Sequence, residues 1–211
     1  DEAGECLTAV REKNIRGLSV TMPLKEAVIP HLEGLTESAI KLNAVNCIFW
    51  DGDDLIGDNT DGAGFVNALK LQLKEPLNKK AIAIIGAGGA ARSIINSLGD
   101  NPVKEIVVVN RSNPKAEKAA YLGGPNARVG SYADLADCDI VVNSTPLGMA
   151  GTSEEAMLPV PVEFLSAKQT VIDLVYNPIE TELLRQAKGL GAKTFSGLGM
   201  LIHQALLQFL L

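Results

Sequence analysis

The sequence predicts an α/β protein with two parts, in which a smaller part precedes a larger one built around a parallel sheet. Three observations lead to this prediction. From Ala81 onward, short runs of Val and Ile alternate with amphipathic helical segments, as a parallel sheet covered on both faces requires. One such run ends at a group of glycines from which a helix starts, whereas the strands before residue 81 are short and separated by polar loops. We therefore expect a cleft between the two parts.

The smaller part is expected to begin with a helix over Glu5–Lys13. A strand over Leu18–Thr21 stops at Met22, because Pro23 halts a ladder and can open a helix. Thr36 can cap another short helix. The remaining predicted elements of this part are a strand over Ala44–Trp50, a hairpin turn at residues 51–54, a return strand over Leu55–Gly57 and a helix over Ala63–Leu73.

The larger part reads as strands and helices in alternation, which is the pattern of βαβ units. Near-continuous apolar runs mark its strands, and each helix shows one apolar face. The predicted strands are Ala81–Ile85, Ile106–Asn110, Ile140–Asn143, Thr170–Leu174 and Lys193–Phe195, and the predicted helices are Ala90–Leu98, Pro114–Leu122 and a strongly apolar last helix, Leu198–Leu211.

Composition excludes several classes of function. With 46% hydrophobic and 21% charged residues, the 211-residue chain fits a soluble protein with a core. A net charge of −6 argues against a partner that is nucleic acid or a membrane surface. Three scattered cysteines suggest neither a disulfide framework nor a metal site, and they favour the cytoplasm. The two histidines lie far apart in the sequence, so no metal is expected and a small molecule is the expected partner.

The glycines Gly86 and Gly88, followed by Ala91, fit the G-x-G-x-x-G/A fingerprint of a dinucleotide-binding βαβ unit. Gly86 allows the tight turn, Gly88 lets a pyrophosphate approach the backbone, and Ala91 lets helix and strand pack closely. The helix N-terminus that follows offers unpaired N–H groups to phosphate. The alternative is a plain tight turn, but the strand before and the helix after it favour the nucleotide.

The end of the next strand indicates which nucleotide is bound. An NAD site places an acid about 20 residues after the glycines, whereas this chain has Asn110-Arg111-Ser112 there and Lys115 one turn on. A guanidinium suits forked contact with a phosphate, so NADP is favoured. The alternative is that Arg111 and Lys115 are ordinary solvated charges.

Small polar residues follow the strand Ile140–Asn143, at the sheet edge where α/β proteins bind ligands. Ser144 and Thr145 are therefore candidates to line the nicotinamide ribose. A polar loop with a proline turn explains the stretch equally well.

Lys25, Asn46 and Asp61 in the smaller part are the candidates for chemistry. Reversible alcohol oxidation needs a group that takes the hydroxyl proton as hydride leaves carbon, and a partly buried lysine beside a carboxylate can do so. Taken alone, Lys25 fits a surface charge and Asp61 fits a helix N-cap.

Together these motifs follow the order found in one family, and the chain resembles shikimate dehydrogenases from about Gly17 to Gln204. The motifs that carry the resemblance are Gly17-Leu-Ser-Val-Thr21-Met-Pro23-Leu-Lys25, Ala44-Val-Asn46, Asn59-Thr-Asp61-Gly62-x-Gly64, the glycine turn, Asn110-Arg-Ser, Asn143-Ser-Thr-Pro-Leu-Gly-Met, Asp173-Leu-Val-Tyr176-Asn-Pro178-x-x-Thr181 and Gly197-Leu-Gly199-Met-Leu-x-x-Gln204-Ala.

The resemblance implies an NADP-dependent oxidoreductase that reversibly reduces 3-dehydroshikimate to shikimate, on the route to chorismate and aromatic amino acids. It implies Lys25 as the catalytic lysine with Asp61 beside it. Residues implied to contact substrate are Thr21, Asn46, Tyr176 and Gln204. Residues implied to bind NADP are Gly86, Ala87, Gly88, Gly89, Ala90, Asn110, Arg111, Ser112, Lys115, Ser144, Thr145, Leu174, Gly197 and Met200.

The implied organisation is a substrate domain over residues 1–62, a Rossmann-like NADP domain over 63–196 and a C-terminal helix over 197–211 that returns to the substrate domain. The family starts with a strand bearing two serines, and its C-terminus usually continues past Gln204, so the chain is expected to be trimmed at both ends. Asn43 and Cys47 depart from the usual Gly and Thr. Monomer and homodimer both stay open. The alternatives are a quinate/shikimate dehydrogenase that uses NAD and a non-catalytic NADP-binding module.

Overall fold

A computed structural model describes residues 2–21 and 23–211, so Met22, where the first strand is predicted to stop, lies outside the described residues. The helices are α1 (Glu2–Glu12), α2 (Glu37–Leu42), α3 (Asp61–Leu73), α4 (Gly89–Gly99), α5 (Asn113–Leu122), α6 (Glu182–Gly189) and α7 (Leu198–Gln208). The strands are β1 (Gly17–Ser19), β2 (Gly34–Leu35), β3 (Cys47–Asp51), β4 (Asp54–Asp58), β5 (Ala81–Ile85), β6 (Glu105–Val109), β7 (Ala127–Val129), β8 (Ile140–Asn143), β9 (Thr170–Asp173) and β10 (Lys193–Ser196).

The larger sheet has six strands in the order β10-β9-β8-β5-β6-β7, and all its pairs are parallel. Ile84 in the central strand is opposite Val108 on one side and Val142 on the other. Alternate residues of this strand enter different cores, with Ile82 and Ile84 in one and Ala83 in the other. The sheet is thus buried on both faces, which confirms the predicted α/β fold.

The smaller sheet has the order β1-β3-β4-β2. β3 pairs antiparallel with both β1 and β4, and β2 adds parallel to β4. Leu7 and Val10 of α1 pack with Ile48 and Leu55 of this sheet in a separate core. The hairpin turn that joins β3 to β4 contains Gly52 at a φ of +62°, which a side chain rarely adopts.

The helix expected after Pro23 is absent, and this prediction was wrong. Turns occupy residues 23–28, followed by a short 3₁₀ helix over Ile29–His31. The carbonyl of Lys25 accepts from the backbone N–H of Val45 at 2.8 Å, and the N–H of Ile29, which an α-helix would direct to Lys25, donates to the carbonyl of Glu26 at 3.3 Å. Pro30 has no N–H to offer the carbonyl of Glu26 either. The hydrogen bond from Val45 consequently attaches Lys25 to the segment that precedes β3.

Several boundaries also differ from the prediction. α3 begins at Asp61, two residues before the predicted Ala63, and β3 begins at Cys47 instead of Ala44. The short edge strands β2 and β7 are not predicted by the sequence, because two or three residues carry too little periodicity. Thr36 caps α2 as predicted, since its hydroxyl accepts from the N–H of Ala39. None of the helices among the described residues has the length and apolarity that a membrane crossing needs.

Candidate active site

Lys25 and Asp61 form an ion pair. Lys25 Nζ lies 2.5 Å from Asp61 Oδ2, and their side chains are 24% and 11% exposed. Lys25 comes from the turns after β1, and Asp61 is the first residue of α3. The two residues therefore meet across 36 positions of sequence. Neither is a simple surface feature, because Lys25 is partly buried and the N-cap position of α3 belongs to Thr60.

Asn46 orients this pair from the side opposite Lys25. Its Nδ2 donates to Asp61 Oδ1 at 2.8 Å, while its Oδ1 accepts from the backbone N–H of Thr60 at 2.8 Å. The same Nδ2 lies 3.4 Å from Oε1 of Gln204 on α7. Asn46 is 2% exposed. The structure thus brings together four of the predicted residues: Lys25, Asn46, Asp61 and Gln204.

Sequence reasoning missed Thr60 and Gln208, which complete the network. The Thr60 hydroxyl donates to the carbonyl of Gln204 at 3.1 Å. Gln208 Nε2 donates to Gln204 Oε1 at 2.6 Å and to the Asn46 carbonyl at 3.3 Å. Thr60 precedes Asp61, and Gln208 lies one turn after Gln204. The spacing of Gln204 and Gln208 on one face of a helix was the only signal in the sequence that could have indicated Gln208.

Two predicted substrate residues stand apart from this network. Thr21 is exposed, and its carbonyl accepts from the N–H of Leu24 at 2.9 Å, in the turn that leads to Lys25. Tyr176 is 49% exposed, in the loop after β9. Among the described residues, neither side chain has a hydrogen-bond partner, so both are free to contact a ligand.

The glycine turn joins β5 to α4. Gly86 has a φ of +114°, and a Cβ added to it would lie 2.6 Å from the Ser144 hydroxyl oxygen. Gly88 caps α4 and Gly89 starts it, and a Cβ added at either would meet nothing within 4 Å. Ala91 is fully buried against the core. The turn therefore has open space above its middle and tight packing at both ends, as an anion site at a helix N-terminus requires.

The glycine turn also contains two other small residues, Ala87 and Ala90, and Ala87 packs against the core of the larger sheet. These short side chains leave the backbone N–H groups of the first helical turn uncovered from above.

The end of β6 lies beside this turn, because the N–H of Gly86 donates to the carbonyl of Val109 at 2.8 Å. Asn110 Nδ2 donates to the carbonyl of Ser112 at 3.0 Å and shapes the loop. Arg111 and Lys115 are exposed, and neither forms an ion pair within residues 2–21 and 23–211. Two unpaired cations at this position fit the 2′-phosphate of NADP.

The loop after β8 is fixed to the glycine turn. The Ser144 hydroxyl donates to the carbonyl of Ile85 at 2.7 Å. The Thr145 hydroxyl donates to Asn143 Oδ1 at 2.7 Å, and Asn143 Nδ2 donates to Asp173 Oδ1 at 2.8 Å. Burial raises the pKa of the Asp173 carboxyl, while the hydrogen bonds that it accepts oppose that rise.

The last predicted cofactor residues lie where β9 and β10 end. A Cβ added to Gly197 would lie 2.1 Å from the carbonyl oxygen of Leu174, so only glycine fits there. Leu174 and Met200 pack against the core of the larger sheet. The carboxyl ends of β5, β6, β8 and β9 thus converge on one edge, the usual ligand edge of a parallel sheet. Over the part of the chain that the structure describes, no cluster of three His, Cys, Asp or Glu residues is arranged to hold a metal ion.

Comparisons with known proteins agree with this arrangement. Residues 1–48 match the family model "Shikimate dehydrogenase substrate binding domain", and residues 68–181 match "Shikimate / quinate 5-dehydrogenase". A relative from Bacillus licheniformis named shikimate dehydrogenase (NADP(+)) is 40% identical over 215 residues, which cover 99% of this chain and 76% of that protein.

Two solved structures extend the comparison. A crystal structure of a shikimate dehydrogenase in complex with NADP⁺ matches with a TM-score of 0.90 and 35% identity, over 98% of this chain and 74% of that one. Quinate dehydrogenase from Corynebacterium glutamicum in complex with NAD matches with a TM-score of 0.86 and 31% identity, over 98% and 75%. With its parallel sheet, glycine turn and paired lysine and aspartate, the chain belongs to the shikimate dehydrogenase family.

Proposed function

We propose that this protein is an NADP-dependent shikimate dehydrogenase, which reversibly reduces 3-dehydroshikimate to shikimate on the route to chorismate and aromatic amino acids. The ion pair of Lys25 and Asp61 at 2.5 Å carries the proposal, because it supplies a proton-transfer group beside the predicted cofactor edge. The name of the Bacillus licheniformis relative and the unpaired Arg111 and Lys115 support NADP as the cofactor.

Lys25 is the proposed proton-transfer group. In the oxidation, its neutral amine takes the proton of the substrate hydroxyl as the C–H bond breaks, and in the reduction its ammonium returns a proton to the carbonyl oxygen. NADP, when bound, accepts or supplies the hydride. Asp61 holds the Lys25 amine in place, and Asn46 fixes the Asp61 carboxylate through a 2.8 Å hydrogen bond. The reaction thus needs no further protein acid.

The other proposed roles follow from position. Asn46, Gln204, Thr21 and Tyr176 contact the substrate with Lys25. The glycine turn of Gly86, Ala87, Gly88, Gly89 and Ala90 holds the pyrophosphate. The clamp on the 2′-phosphate comprises Asn110, Arg111, Ser112 and Lys115, and the nicotinamide half lies against Ser144, Thr145, Leu174, Gly197 and Met200.

The same proposal covers the organisation of the chain. Residues 1–62 form the substrate domain, 63–196 the NADP domain, and 197–211 return to the substrate domain with Gln204 and Gln208. The enzyme works in the cytoplasm, which suits three cysteines that are all free in the described structure. We propose a monomer or a homodimer.

A lysine substitution tests the proposal. In Lys25→Met, which keeps the side-chain length but removes the amine, kcat for shikimate oxidation with NADP⁺ is expected to fall by about 10²- to 10⁴-fold. The dissociation constants of shikimate and NADP⁺ should change only a few-fold. Steady-state kinetics and calorimetric titration of the intact protein measure both quantities.

Lys41→Met is the matched control, because Lys41 also pairs with a carboxylate, Glu37, at 3.0 Å on an exposed helix. Its kcat should equal that of the wild type. Full turnover in Lys25→Met would refute the catalytic assignment. A wild-type protein that binds NADP⁺ without turning over shikimate would instead support the non-catalytic module.

A further inference from the structure

Asp173, at the end of β9, is a carboxylate buried without a cation. It is 0% exposed, and no lysine, arginine or histidine among the described residues contacts it. Three neutral groups donate to it: Asn143 Nδ2 at 2.8 Å, the backbone N–H of Val175 at 3.0 Å and the Thr181 hydroxyl at 2.6 Å. A buried charge balanced only by dipoles is costly, so a merely structural position would favour a neutral residue.

Each of the three donors leads to a different segment. Asn143 starts the loop that contains Ser144 and Thr145, and Val175 precedes Tyr176. Thr181 caps α6, since its hydroxyl oxygen accepts from the N–H of Leu184 while its proton is donated to Asp173. One carboxylate thus fixes the two loops at which the nicotinamide half and the substrate are proposed to meet.

The Asp173 carboxyl group also favours one direction for the hydrogen bonds beyond it. Its Oδ1 accepts from the NH₂ group of Asn143 at 2.8 Å, and the carbonyl of Leu147 accepts from the same NH₂ group at 3.3 Å, so the oxygen of Asn143 faces Thr145. Asn143 Oδ1 then accepts from the N–H of Thr145 at 2.9 Å and from its hydroxyl at 2.7 Å. The proton of the Thr145 hydroxyl is therefore already donated to Asn143.

The hydroxyl proton of Ser144 is also already donated, because it meets the carbonyl of Ile85 at 2.7 Å. The Thr145 oxygen accepts from the N–H of Leu147 at 3.3 Å and keeps one lone pair for a ligand, and neither hydroxyl keeps a free proton. Such a loop accepts hydrogen bonds from a ligand and cannot donate them. Ribose hydroxyls and carboxamide N–H groups, which the nicotinamide half of the cofactor carries, are donors of the required kind.

We propose that Asp173 is a positioning residue for the nicotinamide half of the cofactor, acting through Asn143 to make the Ser144–Thr145 loop a hydrogen-bond acceptor. This inference rests on the proposed function, since it presupposes that the cofactor binds at this edge. Asp173 itself touches neither cofactor nor substrate.

The test compares the dissociation constant of NADP⁺ with that of a ligand that carries only its adenosine half. In Asp173→Leu, a side chain of similar size accepts no hydrogen bond, so the amide of Asn143 loses its partner at 2.8 Å. The dissociation constant of NADP⁺ is expected to rise about ten-fold, as for the loss of a buried hydrogen bond. The dissociation constant of adenosine 2′,5′-bisphosphate, which carries only the half that meets Arg111, should stay unchanged.

A second pair of variants keeps the test decisive if Asp173→Leu does not fold. Thr145→Val removes the proposed acceptor and should weaken NADP⁺ about ten-fold, whereas Thr145→Ser keeps the hydroxyl and should restore binding. Thr36→Val is the matched control for Thr145→Val, because the Thr36 hydroxyl likewise donates to a side-chain oxygen, that of Asp58, but lies outside the proposed cofactor site. It should lower the melting temperature without changing the affinity for NADP⁺.

The outcomes separate the two proposals. A wild-type protein that does not bind NADP⁺ would contradict the proposed function itself. If the wild type binds NADP⁺ and Asp173→Leu binds it equally well, the positioning role is overturned while the function stands. Equal weakening of NADP⁺ and adenosine 2′,5′-bisphosphate would also overturn it, because that result reports general loosening of the fold. Selective weakening of NADP⁺ supports it.

Discussion

At the scale of single residues, some cations of the described chain are paired with carboxylates, and others, among them two beside the glycine turn, are not. Arg128 binds Glu105 and Asp134 at 2.6 and 2.7 Å, and Arg185 binds Glu182 at 2.5 Å. Arg111 and Lys115 are exposed, next to the glycine turn, and form no such pair within the described residues. An unpaired guanidinium is available for an anionic ligand at no cost in broken ion pairs.

Arg111→Ala is therefore expected to separate the two nicotinamide cofactors. With NADP⁺, kcat/KM for the oxidation of shikimate should fall by about 10- to 100-fold, because a charge-assisted contact to the 2′-phosphate is lost. With NAD⁺, which lacks that phosphate, the change should be small. Steady-state kinetics with both cofactors, and with quinate as a second substrate, measure the difference.

Arg185→Ala is the control for this prediction, since Arg185 already binds Glu182 on α6. It should leave both cofactors unaffected. Equal losses with NADP⁺ and NAD⁺ in Arg111→Ala would mean that the guanidinium does not contact the 2′-phosphate. Higher wild-type efficiency with NAD⁺ and quinate would favour the alternative dehydrogenase.

At the scale of elements, the glycines in the turn between β5 and α4 are needed for different physical reasons. Gly86 is required by the backbone, because its φ is +114° and its missing side chain makes room for Ser144. Gly88 has an ordinary φ of −79° and open space around it. The protein alone therefore gives no reason for glycine at position 88, whereas a ligand that approaches the backbone does.

The two glycines should respond in opposite ways to the same substitution. Gly88→Ala is expected to keep the melting temperature of the wild type and to lose most of its affinity for NADP⁺, because the methyl group occupies the space of the pyrophosphate. Gly86→Ala should instead lower the free energy of unfolding by about 1–3 kcal/mol through backbone strain. Thermal melts with and without NADP⁺ report both effects. Unchanged NADP⁺ affinity in Gly88→Ala would exclude a pyrophosphate at this turn.

At the scale of the whole molecule, α7 connects the larger sheet to the proposed catalytic residues of the smaller part. The helix leaves β10 and crosses α3 so closely that a Cβ on Gly64 would lie 2.6 Å from the backbone nitrogen of Gln204. This approach brings Gln204 to Asn46. A second link is the ion pair of Arg92 on α4 with Glu26, the residue after Lys25, at 3.3 Å.

Gly64→Ala should disturb the site from a distance. The added methyl group must push α7 away from α3, which we expect to cost about 2–3 kcal/mol of unfolding free energy. KM for shikimate should rise, while the affinity for NADP⁺ should stay close to that of the wild type. Denaturant titration and kinetics measure these quantities.

Gly199→Ala provides the control on the same helix. A Cβ there would meet Nε2 of Gln72 at 2.6 Å, and that flexible side-chain end can move aside. Its stability and KM should change little. If Gly64→Ala behaves like Gly199→Ala, then the α3–α7 crossing does not determine the substrate site.

Much of the larger sheet follows from local sequence. The apolar runs at β5, β6, β8 and β9 predict buried parallel strands, and each predicted boundary is within one residue of the observed one. The glycine turn is equally local, because its conformation depends on residues that adjoin each other. The turns at residues 23–28, in contrast, replace a predicted helix, and the contact there is not local, because the N–H of Val45 donates to the carbonyl of Lys25.

The sequence alone determined the fold class, the family resemblance and the types of residue available for chemistry, because periodicity and motif spacing are properties of neighbouring residues. Only the tertiary structure decided that Lys25 meets Asp61, that Gln204 reaches Asn46 across 158 positions, and that Asp173 is buried beside Asn143 and Thr181. Those contacts join segments that are far apart in the chain. Their geometry depends on how sheets and helices pack, which no local pattern encodes.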